Sequence, residues 1–81
     1  MVIAREHRGG LKESMETART FETKEDMIKY YTDMWSEWEG KKVKITVSDV
    51  ITYDNRIGWN TRYILCDGSA VGMCDLDYKG N

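Results

Sequence analysis

The sequence predicts an α+β fold in the order β-β-α-β-β-β, a small and mostly antiparallel sheet with one helix packed on one face. Three observations carry that prediction. Between Thr23 and Gly40 the apolar residues recur at helical spacing. After Gly40 the period changes from 3.6 to 2. The chain has 81 residues, room for one domain over 1–81 and no second core.

The helix is expected over residues 24–38. Thr23 is a good N-cap, and Glu25 and Asp26 suit the positive end of the helix dipole. Met27, Ile28, Tyr31, Met34, Trp35 and Trp38 form one broad apolar stripe, while Lys29, Asp33, Ser36, Glu37 and Glu39 fall mostly off it. Gly40 supplies the stop. A stripe of Met and Trp is expected to be core, with Tyr30 beside it as the exposed member. On this reading Trp35→Ala costs about 3–5 kcal/mol, out of a total stability of roughly 4–8 kcal/mol.

Val43, Ile45 and Val47 alternate with Lys44, Thr46 and Ser48 as in a half-buried strand. The alternation slips at Asp49, where either a bulge or the strand's end is expected. Tyr53 to Asn60 reads as a loop or wide turn, Thr61 to Cys66 as a strand, and Asp67-Gly68 as a tight turn into a strand from Ala70 to Cys74. Residues 75–81 are polar and expected to fray. At the start, Val2 to His7 reads as a strand stopped by Gly9-Gly10. Residues 11–21 carry both helical and strand signals, and the alternation of Met15, Thr17, Arg19 and Phe21 favours a strand.

Composition excludes several classes. Twelve basic against fourteen acidic residues give a net charge of −2, so no positive field draws nucleic acid or anionic lipid. The N-terminus is charged too early for a signal peptide, and no stretch approaches a membrane span, so a cytoplasmic protein without membrane contact is expected. Cys66 and Cys74 are too few for a disulfide scaffold. A two-residue turn would put them on opposite strand faces, so free thiols are expected. With one histidine and no recognisable ligand spacing, neither a metal nor a cofactor is expected. No nucleophile elbow or oxyanion loop marks a catalyst, and Ser14 with His7 makes a weak pair.

Two segments carry candidate binding chemistry. Tyr53, Arg56 and Trp59 lie in one loop and are residue types that dominate interface energies. The competing reading has Trp59 capping the core and Arg56 paired with Asp54. Arg5, His7 and Arg8 at the first strand's end form the secondary candidate, suited to an anion, a carboxylate or a phosphate. A nucleic-acid reading needs these cations and Arg19 on one face beside an exposed aromatic.

His7-Arg8-Gly9-Gly10-Leu11-Lys12-Glu13-Ser14-Met15-Glu16-Thr17 and Asp54-Asn55-Arg56-Ile57-Gly58-Trp59 resemble segments of small uncharacterised phage and prophage proteins of Gram-positive bacteria. The resemblance implies a compact α+β fold and a mobile-element origin, with no activity attached. It favours an accessory domain that binds a host or phage protein, ahead of a nucleic-acid binder or an undetected enzyme.

Overall fold

The computed structural model describes residues 1–80. The elements run β1 (Val2–Glu6), α1 (Leu11–Met15), β2 (Arg19–Phe21), α2 (Lys24–Glu39), β3 (Ile45–Val47), β4 (Thr52–Asp54), β5 (Trp59–Cys66) and β6 (Ser69–Asp75). The sheet order is β2-β1-β6-β5-β3, with β4 also paired to β5, and every pairing is antiparallel. The α+β class and the antiparallel sheet are therefore as expected, but there are two helices and six strands. The segment expected as a loop over Tyr53 to Asn60 holds the end of β4 and the start of β5, which pair across a tighter turn.

Helix α2 has the termini that its sequence dictates. The Thr23 hydroxyl accepts from the Asp26 N–H at 3.1 Å. Gly40 adopts φ 70°, a left-handed conformation that a side chain would disfavour. Its deepest side chains, Met27 and Tyr31, enter a core made by Val2 and Ala4 of β1, Val43 and Ile45 around β3, Ile64 and Cys66 of β5, and Cys74 of β6. Phe21 and Tyr30 close one side of this core, with their ring centroids 5.6 Å apart. Arg19 lies over the Tyr30 ring at 4.6 Å. Tyr30 is thus half-buried, and the exposed aromatic of the helix is Trp38, at 80%. Towards the end of the stripe the packing thins, so Trp35 is half-buried and Trp38 is left exposed.

The segment expected as a strand over 11–21 is divided between α1 and a three-residue β2. Side-chain hydroxyls decide this. Ser14 Oγ donates to the Glu6 carbonyl, and Thr17 Oγ1 accepts from the Glu6 N–H at 2.7 Å while donating to the Ser14 carbonyl. These bonds fold the turn back onto the end of β1 and leave only Arg19–Phe21 to pair with it.

The slip at Asp49 is a two-residue excursion. Val47 pairs with Ile64 and Thr52 with Thr61, so four residues face two on β5. Asp67 (φ 49°) and Gly68 (φ 87°) form the expected two-residue turn. The Asp67 carboxylate also accepts from the Lys44 N–H at 2.9 Å, tying β3 to the hairpin.

Beyond that turn the ladder skips Val71. Leu65 pairs with Ala70 and Ile64 with Gly72. This bulge reverses the facing of β6, so Cys66 and Cys74 lie on the same face, contrary to the expectation from a regular hairpin. They remain free because Cys74 stands opposite Arg62. That is four residues along β5 from Cys66, about 13 Å at the strand rise of ~3.3 Å and beyond bridging reach. Burial pushes both thiols up, Cys74 to about 12. The expected fraying of 75–81 is also corrected. Asp75 is buried, Leu76 packs on the core, and Tyr78 stands edge-on to Trp59 at 6.5 Å. Asn81 lies outside the described residues.

Met27→Ala should cost about 2–5 kcal/mol in urea unfolding, as for a fully buried Met, whereas Trp38→Ala should stay within about 0.5 kcal/mol of the parent. Trp35→Ala should fall between them. Equal effects at positions 27 and 38 would contradict this packing. Iodoacetamide should label neither thiol at pH 8 until denaturant is added, because both thiols are buried and held protonated.

Candidate functional site

The structure separates the sequence candidates and regroups them around two concavities. Trp59 is the first correction. Only 2% of it is exposed, and it lies beneath the Arg5 guanidinium, whose carbon is 5.3 Å from the ring centroid. Its place at the start of β5, on the face away from α2, brings it under Arg5 of β1 and Tyr78 of the tail. It therefore serves as core for the second sheet face and not as a surface anchor.

Arg56 stays exposed, and it is paired. The Asp54 carboxylate takes the Arg56 N–H and Nε at 3.0 Å through Oδ1 and Nη2 at 2.7 Å through Oδ2. Asp54 thus clamps the Asn55–Gly58 turn from its first residue, in a bidentate pair that fixes the guanidinium. The Arg56 hydrogen bonds hold the Asp54 carboxyl well below the usual range, at about 2. Tyr53 is exposed at 63%. It lies beside the Asn55–Gly58 turn and lines one recess with Asp54 and Arg56. Tyr53 and Arg56 thus share one surface, from which the buried Trp59 is excluded.

Arg5 is separated from His7 and Arg8. Only 4% exposed, it donates from Nη1 to Ser14 Oγ at 2.8 Å and from Nη2 to the Met73 sulfur at 3.2 Å. Its Nε finds no acceptor among the described residues. Burial lowers its pKa, with Asp54 acting in the opposite sense; the group remains a cation. Arg5 lies in a recess of about 410 Å³ together with Asp54, Arg56, Thr61, Tyr63 and Met73. Members of the two sequence candidates, Arg5 on one side and Tyr53 and Arg56 on the other, therefore meet here. The missed contributors, Thr61 and Met73, carried no local signal, because only strand pairing brings Met73 opposite Arg5 and Thr61 onto the same recess.

His7 and Arg8 line the second concavity, a groove of about 720 Å³ between the C-terminal half of α2 and the ends of β1 and β6. Its apolar lining is Met34, Trp35, Trp38, Ala70 and Val71. Arg8 is held at the rim by Glu6, with a closest contact of 2.8 Å. Trp38 was expected as core and is instead the exposed indole of this groove.

Among the described residues no group of three or more His, Cys, Asp or Glu is placed to hold a metal ion, and no helix is long and apolar enough to cross a membrane. No protein-family model, curated protein or solved structure matches the chain.

The Asp54 clamp has a defined pH signature. Its folded-state pKa lies below the ordinary value of 3.8, so its stabilisation is complete above that value and is lost as pH falls towards about 2. The Asp54 carboxyl carbon, followed by NMR, should titrate near pH 2 in the parent and return towards pH 3.8 in Arg56→Gln. A parent midpoint near 3.8 would mean that the clamp is absent in solution.

Proposed function

We propose that this chain is a small, non-catalytic interaction domain that seats an apolar segment of another protein in the groove beside Trp38. The observation that carries the reading is the indole itself, large, 80% exposed and set at the edge of a groove with an apolar floor. An unpaired Trp on a small domain is costly in solubility, and Trp is the residue type most enriched among interface anchors.

Charge supports a protein over a nucleic acid. The groove carries Glu6 and Glu37 as well as His7 and Arg8, and the whole chain is net negative. Arg5 lines the other concavity, so the cations needed for a phosphate track are divided between two places. A mobile-element origin, implied by the sequence resemblance, belongs to the same proposal. The partner is then a host or phage protein.

Photo-crosslinking tests it. A benzophenone amino acid at position 38 should give one discrete protein adduct in cells, and the same group at exposed position 53 should not. Ala70→Asp, at an exposed position of the groove, should abolish the adduct while leaving the fold intact. Trp38→Ala should weaken affinity for the captured protein by about 2 kcal/mol or more. Adducts with nucleic acid, with a second copy of the chain, or equally from both positions would overturn the proposal.

A further inference from the structure

The recess on the opposite side of the molecule has a different chemistry. A guanidinium offers a carboxylate its side edge, formed by Nε and Nη2, as two parallel donors. The recess holds two such edges. That of Arg56 is filled by the Asp54 carboxylate, with contacts of 3.0 and 2.7 Å. That of Arg5 has no carboxylate among the described residues. Its Nη2 meets only the thioether of Met73, and its Nε meets no acceptor. A thioether is a weak acceptor, so a buried cation has its best donor pair nearly unused. The Thr61 hydroxyl, also at this recess, is buried without a partner as well. Arg5 and Thr61 both line the recess, and three of their donors lack a strong acceptor among the described residues.

The charge of the recess allows an anion. Arg5 and Arg56 face it as cations and Asp54 as an anion, and Asp54 is already neutralised by Arg56. The walls include the Tyr63 ring, Val50 and Met73, which suit a flat apolar body. A volume of about 410 Å³ admits a small organic molecule. A buried charge without a counter-charge is costly, and an incoming carboxylate would remove that cost.

We propose that this recess binds a small carboxylate with an apolar body. Its oxygens take the Nε–Nη2 edge of Arg5 and the hydroxyl of Thr61, displacing the Met73 sulfur, and its body lies against Tyr63. The carboxylate belongs either to a free metabolite or to the C-terminus of a peptide. The site is separate from the Trp38 groove, so either assignment can fail without the other.

The test is a titration of the ¹⁵N-labelled protein with benzoate, following the arginine Nε–Hε signals and the backbone amides. The Arg5 Nε–Hε signal should move saturably, together with Thr61 and Met73, while the Arg56 Nε–Hε signal stays near its place because Asp54 holds it. Thr61→Val, nearly isosteric, should weaken Kd by about ten- to a hundredfold, the effect of one hydrogen bond to a charged acceptor. Arg5→Lys should abolish saturation. N-acetyl-phenylalanine in place of benzoate distinguishes the peptide C-terminus from a free aromatic acid by which binds tighter, and its amide should not bind. An Arg5 signal unmoved by both acids, or moved equally by chloride at matched ionic strength, overturns the proposal. So does an unchanged benzoate Kd in Thr61→Val, a variant that stays informative even if Arg5→Lys fails to fold.

Discussion

Between Ala70 and Gly72, β6 carries one residue more than its partner, and Val71 stands outside the ladder with β5. Its carbonyl accepts instead from the His7 N–H at 3.0 Å, which fixes the end of β1. Gly72 makes the arrangement sterically possible, because a Cβ there would lie 2.5 Å from the Arg5 carbonyl oxygen. That single extra residue sets the facing of everything after it. It pairs Cys74 with Ala4 on the helix side and Met73 with Arg5 on the other. Without it Met73 would point at α2, and the recess would lose one wall.

The sheet consequently has two working faces of unequal character. The face under α2 is closed by apolar packing, in which Met27 and Tyr31 are fully buried. The other face is closed around a charge. Arg5 rests on Trp59, reaches Ser14 of α1, and lies in the sheet face that Asp75 shares. Asp75 is satisfied by the N–H groups of Asn60 and Asp77, at 3.0 and 2.9 Å. Those bonds turn the tail across Trp59, which explains why a polar segment packs where fraying was expected. Each face ends in a concavity because the covering element stops short of the sheet edge. Helix α2 leaves the groove at Trp38, and the β4–β5 hairpin leaves the recess at Arg56.

What was readable in the chain was local. The span of α2, the left-handed Gly40, the Asp67-Gly68 turn and the pairing of Asp54 with Arg56 each depend on residues within a few positions of one another. Residues 11–21 are ambiguous in sequence because period-2 alternation and a short helix leave similar traces over so few residues, and the deciding bonds run from Ser14 and Thr17 to Glu6. Trp38 is ambiguous too, because a stripe records which side chains share a helix face, not how far the packing beneath them extends.

By itself, then, the sequence determined the antiparallel α+β class, the main helix with both its caps, and the turn that joins the last two strands. Backbone geometry and side-chain spacing enforce these over short distances. Tertiary structure alone decided which tryptophan is buried and which exposed, that the cysteines share a face, and that Arg5 meets Thr61, Met73 and Arg56. Those outcomes rest on strand register and on one bulged residue, and register is settled by pairing between segments far apart in the chain.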